Sequence, residues 1–197
     1  MAATSREQRL RVAVDGAPAA APSDLADALA EPMRAQGRAV LRVSAHDFLR
    51  PASLRYEFGR YEPDAYYDDW LDAGGLTREV LAPLEPGAPG KVLPTLWDST
   101  RDRATRASYQ TVPPGGIVVV DGTLLLGRGL PFDLTVHLHL TSAALARRTA
   151  STQAWTLPAY ARYQEEADPV RTADIVIKVD DPRHPALLGR SSGREGG

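Results

Sequence analysis

Between Val12 and Ser23 the chain reads Val-Ala-Val-Asp-Gly-Ala-Pro-Ala-Ala-Ala-Pro-Ser, a short apolar strand running into the start of an amphipathic helix. Glycine-rich turns at such junctions cradle phosphate when they carry the spacing G-x-x-x-x-G-K-[ST]. The glycines let backbone N–H groups close around the anion, the lysine reaches the β- and γ-phosphates, and the hydroxyl holds Mg2+. Counted from Gly16, the second glycine is Ala21, the lysine is Pro22, and only the hydroxyl survives, as Ser23. Proline at 22 removes an ammonium and a backbone N–H together. It suits the first turn of a helix, so the fold is served while the anion site is emptied. Methyl groups at Ala19, Ala20 and Ala21 resist the φ > 0 conformations that glycine permits, by roughly 1 kcal/mol.

The elements around this loop follow a strand and helix alternation. Leu10 to Val14 reads as a buried strand. Ser23 to Gln36 reads as a helix with Leu25, Ala26, Leu29 and Met33 on one face and Gly37 as its stop. Arg38 to Ser44, Ile117 to Val120, Leu134 to Leu140 and Asp174 to Val179 supply four further strands. Helical patterns between several of them point to parallel βαβ units with right-handed crossovers. A long insertion separates the second strand from Ile117. Asp64 to Leu84 within it reads as helical with a break at Gly74-Gly75, and Lys91 to Thr111 suits a hairpin or irregular excursion around Trp97-Asp98. An insertion at the carboxyl end of a parallel sheet is where such proteins build substrate sites.

Composition narrows the functional classes. A length of 197 residues with 43% hydrophobic residues suits one core, and a single domain over 1–188 is expected with a flexible tail at 189–197. The net charge of -2 provides no field for nucleic acid or for an acidic membrane surface. Cysteine is absent, which excludes disulfides, thiolate zinc sites and a cysteine nucleophile. Met1 to Arg11 has no apolar signal core, and no run approaches the ~18 apolar residues of a membrane span. A cytoplasmic location is expected, with a small molecule as partner, no nucleic acid, no membrane, and room for a homodimer.

Taken in order, the landmarks resemble the P-loop uridine kinase-like family, which includes phosphoribulokinase and pantothenate kinase relatives. They are the strand-loop-helix from Val12 to Leu25, the strand end Val43 to Pro51 with His46-Asp47, and the segment Phe58 to Tyr67. Trp97-Asp98, the strand Ile117 to Gly122 and the pair Arg147-Arg148 complete the set, so the resemblance spans roughly Leu10 to Pro185. It implies an α/β, P-loop NTPase-type three-layer sandwich: a five-stranded parallel sheet, a helical and hairpin insertion at about 50–112, and a lid at about 142–165. The position of the family's general base falls on His46, with Asp47 beside it. An imidazole with a reference pKa of about 6.5 can do that work, although both residues also suit a plain strand end and turn. The resemblance assigns Arg60, Tyr61, Tyr66, Trp97 and Asp98 to the acceptor substrate. It assigns Gly16, Ser23, Arg147 and Arg148 to the nucleotide, and Ser23 and Asp121 to the metal. Those aromatic residues are equally suited to packing the insertion on the sheet. No basic residue lies between Ala150 and Ala161, so the lid is thin in charge.

Two functional readings follow. In one, the phosphate loop has eroded, ATP-dependent phosphoryl transfer is impaired or lost, and an acceptor-type pocket persists for a nucleoside-like or polyol ligand. In the other, the chain is an active kinase for a nucleoside or small alcohol, dependent on ATP and Mg2+, with a non-standard donor site.

Overall fold

A computed structural model describes residues 7–188; the expected tail at 189–197 lies outside them. Strand β1 (Leu10–Gly16) leads into α1 (Pro22–Ala35) and β2 (Val40–Ser44). The insertion contains the helices α2 (Ala52–Arg55), α3 (Pro63–Asp68) and α4 (Ala73–Leu76). It continues into the short ladder strands β3 (Lys91–Val92), β4 (Trp97–Asp98), β5 (Arg103–Ala104) and β6 (Gln110–Thr111). Next come β7 (Ile117–Gly122), β8 (Leu134–His139), α5 (Ser142–Arg148), α6 (Leu157–Glu166), α7 (Pro169–Thr172), β9 (Ile175–Lys178) and β10 (Ala186–Leu188).

The sheet order is β10-β9-β8-β1-β7-β2. Its first five members in sequence are the expected parallel strands, and β10 adds a sixth that runs antiparallel on the β9 edge. β1 and β7 are central and buried on both faces, which explains why they read as continuous apolar runs. Their register places Val14 beside Asp121 and Asp15 beside Gly122, so loop and acid leave the same end of the sheet.

Layers cover both faces. α1 packs Ala26, with Leu25, Leu29 and Met33, against Val12, Val14, Ile117 and Val119. The insertion packs Phe48, Leu76, Val80, Leu81 and Val92 against Val118 and Val120 on the other face. Tyr160 and Tyr163 of α6 pack with Leu124, Leu126 and Val176.

The insertion departs from its expected pattern in one place. The helical stretch breaks at Asp69–Asp72, whereas Gly74 and Gly75 lie inside the next helical turn. Asp72 is the reason: its Oδ1 accepts from the Gly75 N–H at 2.8 Å, and a Cβ at 75 would collide with the same carboxylate. Glycine serves here as a close-packing residue at a capped N-terminus, not as a breaker.

Candidate functional site

The carboxyl ends of β1, β2 and β7 open into a cavity of about 680 Å3, within the range of small-molecule sites. Gly16, Ser23, His46 and Asp121 line one end of it, and Arg60, Tyr61 and Tyr66 line the other. The structure thus gathers seven of the sequence-derived candidates around one space.

The loop that follows β1 has its own geometry. Ala17 to Ala21 form a tight helical turn in which the Ala20 N–H donates to the Ala17 carbonyl at 2.8 Å and the Ala21 N–H to the Pro18 carbonyl at 3.0 Å. Pro18 and Pro22 have no N–H. Four of the loop's backbone positions are therefore spent or lack a donor. Ala21 sits at φ 54°, the left-handed conformation that a glycine would hold without strain.

Asp121 is buried, and Gly122 after it lets β7 approach Ala45 closer than a side chain would allow. The Asp121 carboxylate is not free. Arg42 Nη2 donates to its Oδ1 at 2.6 Å, while Arg42 Nη1 reaches the Ser23 carbonyl at 3.4 Å and pairs with Asp27. One guanidinium therefore spans from the first turn of α1 to the acid at the end of β7.

Behind the loop, Asp15 is fully buried and fully used. Its Oδ2 accepts from His137 Nδ1 at 2.7 Å and from the Tyr163 hydroxyl at 2.9 Å, and its Oδ1 accepts from the Leu125 N–H at 2.9 Å. The Tyr163 oxygen in turn accepts from the Leu126 N–H at 3.0 Å. Burial, reinforced by the Asp15 charge, pushes the Tyr163 hydroxyl far above the ordinary phenol range, so it stays a donor. This network ties β1, β8, α6 and the turn after β7 together directly beneath Gly16.

His46 and Asp47 leave β2 in a helical turn, Ala45–Phe48, capped by the Ser44 hydroxyl. His46 is exposed at the cavity and contacts the Ser99 hydroxyl at 3.3 Å. Asp47 does not line the cavity, and burial raises its carboxyl above the usual range despite the opposing influence of His46. Of the two, His46 is the one the cavity meets.

The other end is an aromatic cluster. Tyr66 meets Trp70 at 4.9 Å and Trp155 at 5.4 Å between ring centres, and Tyr61 meets Trp155 at 5.7 Å, all edge to face. Trp155 comes from the segment before α6, so the expected lid region is seated on the insertion. Arg162 of α6 strengthens that seat through Asp68 at 2.7 Å and Asp64 at 3.2 Å.

Four candidates lie elsewhere. Trp97 and Asp98 build the β4–β5 hairpin: Trp97 Nε1 donates to Asp102 at 3.1 Å, and Asp98 accepts from the backbone of Arg101 and Thr100 at 3.0 and 3.1 Å. The Arg101 N–H holds the Asp98 carboxyl below the usual range. Arg147 is exposed at the end of α5, and Arg148 is engaged with the Val179 carbonyl at 2.7 Å. None of the four lines the cavity.

Sequence reasoning passed over Arg42, Arg128, Trp155 and the Asp15 network, and did not anticipate that Arg55 is only 4% exposed. Arg42 carried a usable signal. On parallel strands it pairs with Val119, two residues before Asp121, on the same face of the sheet.

A scan against protein-family models finds no match, and no curated protein matches. Solved structures do. A possible uridine kinase from Bacillus stearothermophilus aligns with a TM-score of 0.70 over 89% of this chain and 91% of its own, at 22% identity. The fold is that of the uridine kinase-like P-loop kinases. The YGR205w protein aligns with a TM-score of 0.59 over 93% of this chain and 91% of its own, at 11% identity. No helix among the described residues is long and apolar enough to cross a membrane.

Proposed function

We propose that this chain is a small-molecule-binding protein that keeps the acceptor half of the kinase site and has lost, or nearly lost, ATP-dependent phosphoryl transfer. The Arg42–Asp121 pair carries the reading. Phosphoryl transfer depends on a divalent ion that neutralises charge between donor oxygens and the acid of this strand. A guanidinium already holds an Asp121 oxygen at 2.6 Å, so a fixed cation stands where Mg2+ would need that acid. The inward N–H groups of Ala20 and Ala21 add to this, because a triphosphate needs such donors turned outward. The donor half does not fit a magnesium nucleotide.

The acceptor half supports a bound ligand of nucleoside-like or polyol type. Tyr61, Tyr66 and Trp155 offer ring edges and faces for a flat or sugar-bearing body, and His46 offers an imidazole at the opposite wall. A screen of nucleosides and polyols without nucleotide, followed by tryptophan fluorescence, tests this directly, since Trp70 and Trp155 line the cavity. A saturable change that Trp155→Phe diminishes is expected. Absence of any such change, together with transfer of labelled phosphate from ATP to uridine, would overturn the proposal.

The active-kinase reading retains one favouring observation: Gly16, Ser23, Asp121 and His46 face one cavity. In it, His46 would accept the acceptor hydroxyl's proton, with Asp47 the lesser candidate, while Ser23 and Asp121 would hold Mg2+ against ATP. The same labelled-phosphate assay separates the two readings.

A further inference from the structure

The charged groups of the cavity are unbalanced in a way the overall charge of the chain conceals. Its walls carry Arg55, Arg60 and Arg128, and a single carboxylate, Asp121, which is already paired with Arg42. The three guanidinium groups are held mainly by neutral partners. Arg55 donates to the Arg50 carbonyl at 2.7 Å and the Ser99 carbonyl at 3.5 Å, and its nearest carboxylate, on Asp102, is 3.9 Å away. Arg128 donates to the carbonyls of Leu124 and Tyr67. Arg60 is exposed, and its recorded contact is with a ring. Among the described residues neither Arg60 nor Arg128 has an ion-pair partner.

Carbonyl oxygens orient a guanidinium without cancelling its charge. Arg55 and Arg60 moreover flank the same ring, their guanidinium carbons 4.9 and 5.2 Å from the centre of Tyr56. Two like charges on one ring, Arg55 and Arg60, the first on a side chain only 4% exposed, form an arrangement that a folded chain tolerates at a cost. Burial also depresses the basicity of Arg128, a strain that a bound anion relieves. The aromatic cluster beside these groups is uncharged and receives the rest of a ligand.

We infer that the cavity takes an organic anion, a phosphomonoester or carboxylate carried on a planar or sugar body, with the anionic group held among Arg55, Arg60 and Arg128. This rests on the cavity being a ligand site, as proposed above, and it names the chemical class that the site selects. A guanidinium fork matches either anion in two-point fashion, so the shared feature is the planar or tetrahedral oxyanion.

Matched pairs in which one member carries the anionic group on the same body provide the test: uridine against uridine 5′-monophosphate, and benzyl alcohol against benzoate, titrated into the whole chain by calorimetry. The anionic member of at least one pair should bind about tenfold more tightly, and the advantage should shrink as NaCl rises. Arg60→Gln should cut the ratio to about threefold or less, and Arg60→Lys should keep part of it. Arg60 is exposed and carries no recorded hydrogen bond, so thermal melting of these variants should match the parent and confirm folding. The nucleotide pair and the benzoate pair separate phosphomonoester from carboxylate preference. Equal binding within every pair, or a ratio that survives Arg60→Gln, would overturn the inference while leaving the ligand site in place. Binding by no member would remove the ligand site itself, and the inference with it.

Discussion

Arg42→Met removes a guanidinium and keeps most of its apolar stem, leaving Asp121 at the carboxyl end of β7 without its cation. The pair stands at 2.6 Å, with side-chain exposures of 20% for Arg42 and 8% for Asp121. Two unit charges about 4 Å apart attract by about 4 kcal/mol at an effective dielectric of 20. Breaking such a pair from one side costs about 3–5 kcal/mol, because the remaining charge is left in a dry place. The partial exposure of Arg42 argues for the lower end, so the expected loss is about 3 kcal/mol. For a chain of this size that is a fall in Tm of about 6–12 °C. Asp121→Asn should cost about 1 kcal/mol, since Arg42 keeps Asp27 and reaches solvent. The double variant should melt within a few degrees of the parent, because an uncharged pair needs no compensation. Denaturant unfolding of all four proteins, analysed as a double-mutant cycle, measures the coupling directly. Additive effects within about 0.5 kcal/mol would refute the reasoning that Arg42 is the resident cation of Asp121.

Three further outcomes are expected. Asp15→Asn should destabilise by about 2–4 kcal/mol in thermal melts, since an amide cannot accept from three donors without turning an N–H toward one of them; a loss under 1 kcal/mol would show that the network is not holding the loop. Ala21→Gly should stabilise by about 0.5–1 kcal/mol by relieving the left-handed residue, and an unchanged or lower Tm would mean that the conformation carries no strain. Burial, aided by neighbouring His137, holds the His139 imidazole below its usual range. The unfolded chain therefore takes up the proton first: stability from this group is complete above about pH 6.5 and falls as the pH drops toward the folded value. His139→Gln should flatten that part of the Tm profile, and a profile that keeps its slope would assign it to other groups.

The sheet was legible because its central strands are buried on both faces and therefore read as unbroken runs such as Ile117 to Val120. The helix after the loop was legible from Leu25, Ala26, Leu29 and Met33. The sixth strand was not, since Ala186–Leu188 is short, sits on an edge and buries little. Gly74-Gly75 misled because glycine usually marks a break, whereas here the space beside Asp72 requires it. Among the candidates, residues at or just after strand ends line the cavity: Gly16, Ser23, His46 and Asp121. Groups joined across long separations were not legible. Asp15 meets partners 110, 122 and 148 residues away, and no local pattern announces such a contact. Trp155 escaped notice for the same reason, because its role depends on the segment before α6 lying against α3. Arg147 and Arg148 stood out as a basic pair, but adjacent positions on a helix diverge, and the second of them serves the end of β9.

Calorimetric titration of the full chain with Mg-ATP tests the central claim most directly. With Asp121 paired to Arg42 and the loop N–H groups turned inward, no saturable heat is expected up to millimolar nucleotide. Restoring glycine and lysine at positions 21 and 22 should not create it while Arg42 remains. Saturable binding of Mg-ATP to the unaltered chain, lost on Asp121→Asn, would contradict the account.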